Sequence, residues 1–552
     1  VPKAQKSEDG RDQWGSRASF VLAAMGGAIG LGNLLRYPSQ VFNNHGLQWF
    51  VPYLIALAFL GIPILILEIA IGQAYHGGCV IAYNHLNKRT KGVGLAILIN
   101  GYMIVVYYVP ILAWVMNYFS KSFRSPLPWT GRPEEFWMEE VIANVAPVEG
   151  TGSSYLSYPD VGLIGETTGW CAFTWFVTWL CMFNGVGITG RVVYFTMGLP
   201  IFTMLVLVVR SLSLPNASDG LALYIGQWNG GQLGNGAIWQ SALGQIFFSI
   251  GVGMGYFTSY ASYNSPYANC VQDALIIAFS NSCYEVFAAL AVFGVVGNIG
   301  LLPGDGTSLG TFVVGFLTYP EAIANMPGAN FWAVLFFFTL MLLGISSAFA
   351  LLDAVVTLLV DTDWGRRVPR WVISTSAVVV SFLLSLVYCT RFGFYLLDAV
   401  DTYVNYLALF FVVWCECVAS TTVYRYKDVL GQVGGWTPFA IYNVGYIGGM
   451  VGGVALGQAV GPEAGAGLGF GLYIVGTGVS VLLSRTPDVP APSFWGSNAM
   501  LSRFWYLAFY SVSVFLSFSH PFLPFRFDVP IQPPPPISLV TTQTKESNRK
   551  PP

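Results

Sequence analysis

The chain has 552 residues, of which 54% are hydrophobic and only 9% charged, with 40 Phe, 29 Tyr and 17 Trp. A soluble fold of this size needs far more charge to cover its surface, so the composition excludes one and points to a polytopic membrane protein. The net charge of −2 gives no reason to expect a nucleic-acid partner.

Residues 1–13 read as a charged cytoplasmic segment, and no short apolar run with a small-residue cleavage site precedes the first span, so no cleaved signal peptide is expected. Apolar segments near the ~20-residue bilayer length follow at about 20–42, 48–75, 95–120, 170–187, 191–211, 237–262, 272–298, 329–360, 371–390, 395–424, 437–458 and 464–484. Twelve transmembrane helices of an all-α membrane protein are expected. A further apolar stretch at 504–518 reads as a thirteenth span or an interfacial helix. The rest of the tail, 486–552, is proline-rich and is expected to be solvated, with docking on a cytoplasmic module as the alternative.

Lysine and arginine in the short loops set the orientation. With the N-terminus inside, thirteen fall on that face, among them Lys88, Arg89, Lys91, Arg366, Arg367 and Arg370, and five on the other. A cytoplasmic N-terminus follows. The loop at about 124–168 is then outside, as is Asn216, the acceptor in the one N-x-S/T sequon. The eight cysteines lie in or beside apolar runs, so no disulfide scaffold is expected. Four scattered histidines give no transition-metal or haem signal.

Two spans are interrupted in mid-membrane. The first carries "GGAIGLGN" at 26–33, with Arg36 just beyond; the sixth carries Ser249, Gly251, Gly253 and Gly255. Five spans separate their starts, and paired interruptions of this kind mark a secondary transporter built from inverted repeats. Irregular backbone survives at that depth only where it lines a protein-buried cavity. Its freed N–H groups suit a carboxylate, and its freed carbonyls suit an ammonium or a sodium ion. The glycines at 448–449 and 452–453 and the row 465/467/469/471 are read instead as helix-packing positions.

"GLGNLLRYP", "GIPILILEIAIGQ", "YYVPILAW", "GQIFFSIGVGMG…YASYN", "SNSCYEV", "LGISSAF" and "LLDAVDTY" resemble, in order and spacing, the neurotransmitter:sodium symporter family over about residues 11–485. The resemblance implies a first repeat at 14–211, an outer loop at 212–236, a second repeat at 237–424 and two more helices at 425–485.

It also implies a site. One sodium ion would take carbonyls of Gly26, Ile29 and Leu343 and hydroxyls of Ser346 and Ser347, five neutral oxygens that suit a hard cation. Taken alone, two serines on a membrane helix more often bond back to a carbonyl one turn earlier. The second sodium would take Ala28, Asn33, Ser249 and Asn281 together with the solute carboxylate. That carboxylate would meet the N–H groups of Leu31 and Gly32 and the Tyr108 hydroxyl, and the ammonium the carbonyls of Ala28, Phe248 and Ser249. Ile104, Phe248, Gly251, Met254, Ser347 and Leu351 would line the side-chain space, with Gly251 adding room. Relatives that carry amines lacking a carboxylate place an aspartate where this chain has Gly30, so a neutral amino acid is the expected solute.

The remaining charges are costly in a membrane and imply gates. Arg36 with Asp401, capped by Phe248 and Tyr108, matches the outer gate; Arg11 with Asp361, Trp14 and Tyr263 matches the inner one. Glu68 and Glu416 read as buried hydrogen-bond anchors, while Asp353 and Asp398 receive no role. Chloride-dependent relatives build an anion site to which Tyr53, Gln245, Ser249 and Asn281 correspond, but the fifth position is Glu285 instead of serine. A carboxylate there supplies the charge that chloride brings elsewhere. Sodium-coupled, chloride-independent symport with proton counter-transport is therefore expected, with two sodium ions and no organic cofactor, in the plasma membrane. A non-transporting amino-acid sensor of the same fold is the alternative, and homo-oligomerisation is left open. A channel ranks last, since no pore-lining ring is evident, and no nucleophile–base set supports an enzyme.

Overall fold

The computed structural model describes residues 5–6, 12–145, 155–265, 268–301, 303, 308–423, 427, 430–431 and 434–484. Arg11 and the tail, including 504–518, lie outside them. Helices occupy all twelve expected positions. Nine among the described residues are long and apolar enough to cross a membrane alone, from Leu47–Tyr75 to Ala464–Leu483. The first span is a bent pair, Arg17–Ala28 and Gly32–Asn43, turned by 49°. The sixth is split into Gly236–Ile250 and Tyr256–Ala261. A strand pair, Gln5–Lys6 with Asp12–Gln13, is two residues long on each side.

The helix boundaries follow local chemistry. Ser16 caps the first helix by accepting from the Ser19 amide at 3.2 Å. The fourth span, expected at 170–187, is the helix Gly165–Met182. It stops early because Gly185, at φ +76°, turns the chain directly into the fifth helix, Val186–Leu212. An unexpected apolar helix, Thr311–Ala324, lies between the seventh and eighth spans. It packs on the outer end of the first span, where Asn43 exchanges hydrogen bonds with the Leu309 backbone at 3.1 and 2.8 Å.

The eighth span, Ala329–Asp361, is the central post. It packs on the third span (Lys91–Lys121), the fifth span and the inner half of the first. Spans eleven and twelve (Trp436–Ala459 and Pro462–Leu483) pair through only part of their glycine row. A Cβ at Gly449 or Gly453 would meet the backbone carbonyl of Gly469 or Gly465 at 2.7 or 2.8 Å. Gly448, Gly467 and Gly471 face open space, which corrects the expectation that the whole row packs.

Candidate ion and solute site

The helix of the first span ends at Ala28 because Ile29 is extended, at φ −81° and ψ 101°. The freed Gly30 amide donates to Asn33 Oδ1 at 2.8 Å, and the Leu31 amide to the Tyr108 hydroxyl at 3.1 Å. In the sixth span Gly251, Gly253 and Gly255 take φ of +84°, +72° and +85°. Glycine adopts that region without steric cost, so the alternating glycines are what the break requires. Its polar groups are met from other spans: Gly253 donates to Glu68 at 2.5 Å and accepts from Asn100 at 3.1 Å. Such cross-span partners are what permits irregular backbone at membrane depth.

Between the two breaks lies a buried polar cluster. Asn33 Nδ2 lies 2.9 Å from Asn281 Oδ1 and 3.1 Å from Ser249 Oγ. Asn281 Nδ2 donates to the same Ser249 hydroxyl at 2.8 Å. Glu285 faces this group and accepts from Ser249 at 2.7 Å, Gln245 at 3.2 Å and Asn33 at 3.3 Å. The Tyr53 hydroxyl donates to the other carboxylate oxygen and sits 2.9 Å from Ser282. All of these side chains are buried.

On the eighth span, Ser347 Oγ reaches across to the Gly26 carbonyl at 3.4 Å, while Ser346 bonds back to Leu343 on its own helix at 2.8 Å. Ile104, Tyr108, Met254 and Leu351 are each buried beside the breaks. At Gly30 an added Cβ would stand 2.6 Å from the Ser347 hydroxyl and 2.9 Å from that of Tyr108. A side chain there would require both hydroxyls to shift.

Two layers of contacts lie at the ends. On the side expected to be cytoplasmic, the Trp14 indole donates to the Tyr260 carbonyl at 2.9 Å and packs edge-on against Tyr260 and Tyr263. Asp361 accepts from the Gly78 amide at 3.0 Å. On the outer side, the Arg36 guanidinium lies 4.4 Å from the Phe248 ring centroid and 5.7 Å from that of Tyr406. Asp401 instead accepts from Tyr107 at 2.7 Å and Asn405 at 2.8 Å. Among the described residues, Arg36 and Asp401 form no ion pair within 4.0 Å.

The model of the sodium:neurotransmitter symporter family matches residues 11–161 and 133–447, most of the chain. The chain belongs to this family. Among symporter-family relatives, the creatine transporter of Torpedo marmorata is 33% identical over 473 residues, covering 80% of this chain and 77% of that protein. The sodium-dependent neutral amino acid transporter B(0)AT3 of Mus musculus is 29% identical over 519 residues, covering 79% and 82%. The crystal structure of MhsT in complex with L-phenylalanine shares the fold, with a TM-score of 0.65 over 92% of this chain and all of that one at 22% identity. Membership makes the protein a sodium-dependent symporter-family member, and its relatives are transporters rather than enzymes. The spans make it a multi-pass membrane protein, consistent with the plasma membrane.

Several symporter residues escaped the sequence reading. Asp353, given no role, receives Arg370 at 2.5 Å, and Arg370 also donates to the Tyr263 hydroxyl at 3.0 Å. Arg17 pairs with buried Asp273 at 2.6 Å. Glu68 anchors the sixth-span break through Gly253, and Glu416 is buried beside the Tyr83 hydroxyl. Gly251 adds no room, because the Tyr256 hydroxyl already stands where its Cβ would go. Asn216 is exposed and left-handed, at φ +60°.

Proposed function

We propose that the protein carries a neutral α-amino acid inward with sodium, independently of chloride, and returns with a proton on Glu285. The contact between Ser249 and Glu285, 2.7 Å, carries this reading. The candidate sodium group of Asn33, Ser249 and Asn281 is in direct hydrogen-bond contact with the acid that stands where chloride-dependent relatives have serine. A sodium ion bound there favours the ionised carboxylate, and its departure leaves a buried negative charge that a proton removes.

The solute class is supported by Gly30. Glycine at that position supplies no carboxylate, so the solute would bring its own to the Leu31 and Gly32 amides and Tyr108. The lining is otherwise apolar, which suits a neutral side chain. Ser347 and Gly26 support a second sodium site joining the first and eighth spans. Arg36 with Asp401 would close outside, and Trp14, Tyr263, Asp361 and Arg11 inside.

The deciding experiment is radiolabelled amino-acid uptake into proteoliposomes. Replacing sodium by choline should abolish uptake, replacing chloride by gluconate should not, and inside acidification should accelerate it. Binding without uptake would instead identify a sensor. Chloride-dependent uptake by the wild type would end the Glu285 assignment.

A further inference from the structure

Tyr256 opens the inner half of the sixth span, and its side chain turns back beneath the break. The hydroxyl donates at 2.8 Å to the carbonyl of Ile250, the last helical residue of the outer half. A Cβ added at Gly251 would strike that hydroxyl. One added at Gly27 would lie 2.5 Å from the ring and 3.1 Å from Ala350. The side chain is 1% exposed. The ring therefore fills the space among Gly27, Gly251 and Ala350, and two of these adjoin the candidate solute contacts Ala28 and Leu351.

We propose that Tyr256 is a specificity-determining residue, forming the floor of the solute compartment and restricting the carried amino acid to a small side chain. The proposal rests on the solute site given above. Its physical basis is that the phenol cannot swing aside without leaving its hydroxyl and the Ile250 carbonyl unmet in a dry site. The break frees that carbonyl from helical bonding, and the tyrosine hydroxyl both satisfies it and is held by it. Size is thus set from position 256. At position 251, the backbone already demands glycine and the neighbouring space is taken.

The test is sodium-driven alanine uptake in proteoliposomes containing the full chain, with unlabelled glycine, alanine, leucine and phenylalanine as competitors. The wild type should be inhibited well by glycine and alanine and poorly by leucine and phenylalanine. Tyr256→Ala should improve leucine relative to alanine by roughly tenfold or more, the scale of added side-chain room in an apolar pocket. Tyr256→Phe keeps the ring but loses the hydroxyl that holds it on Ile250, so it should relax the exclusion by less than Tyr256→Ala. If Tyr256→Ala does not fold, Tyr256→Leu should show the same shift in smaller measure. Alanine uptake with an unchanged size order in these variants, or a wild type that accepts phenylalanine as well as alanine, overturns this assignment alone. A wild type that takes up no amino acid with sodium overturns the solute site as well.

Discussion

Asn33 touches Glu285: the amide nitrogen of the first-span residue lies 3.3 Å from a carboxylate oxygen of the seventh. A side chain expected to hold sodium is therefore in the immediate shell of the acid expected to hold the proton. Glu285→Ser removes the charge while leaving Tyr53, Gln245, Ser249 and Asn281 around the vacated place. We predict that the variant transports only with chloride present, whereas the wild type is indifferent. Uptake by Glu285→Ser in gluconate equal to that in chloride would show that the carboxylate does not substitute for an anion.

Asn33→Ala and Ser347→Ala each remove an oxygen from a different candidate sodium group. A hydrogen bond or ligand contact to a charge contributes about 1.5–3 kcal/mol, so we predict a rise in the half-saturating sodium concentration on the order of 10- to 100-fold. Sodium titration of uptake reads this directly. An unaltered sodium curve in both variants would remove the ion assignments.

At the proposed outer gate, Asn405→Ala and Tyr107→Phe release Asp401 from its present partners. Asp401 is then free to meet Arg36, and the closed gate should gain population. We predict severalfold slower release of bound labelled amino acid to the outside, by up to about tenfold for a lost hydrogen bond to a carboxylate. Faster release would mean that these two residues help the gate close.

Arg370→Ala strips buried Asp353 of its cation and Tyr263 of a donor. Breaking a buried pair from one side costs about 3–5 kcal/mol, so the inner layer should loosen. Cys79, now buried with its thiol on the Gly255 carbonyl at 3.1 Å, should then react faster with a thiol reagent applied from the cytoplasmic side. Asp353→Asn in the same background should restore part of the protection. Unchanged Cys79 labelling in Arg370→Ala would assign the pair to folding alone.

The broken spans were legible because glycine and polar residues interrupt two otherwise apolar segments at equivalent places. The companions of the break were partly legible: Glu68 is an acid inside an apolar run and had to be anchored somewhere, and it meets Gly253. Asp353 was opaque because nothing in the local pattern says that a buried acid on the eighth span meets an arginine across the next turn. The helix Thr311–Ala324 was hidden by its length, since it is shorter than a span and lacks a strong capping signal. Position 251 shows a different limit. A glycine announces missing side-chain volume, but only three-dimensional packing reveals that Tyr256, five residues on, occupies it.

Arg36 rests on the Phe248 ring and Asp401 on Tyr107 and Asn405, so each member of the proposed outer gate has contacts other than its partner. A guanidinium over an aromatic face keeps part of its electrostatic stabilisation after it leaves a carboxylate. Opening would then exchange an ion pair for these contacts, with Arg36 Nη1 left buried and without a hydrogen-bond partner. A gate with these contacts on one side and the ion pair on the other would behave as a toggle with two shallow wells. A solute that touches Phe248 and Tyr108 needs only a modest preference for one well to tip the population. The speed of capture would then be governed by arrival of the solute, with the ionic lock following it into place.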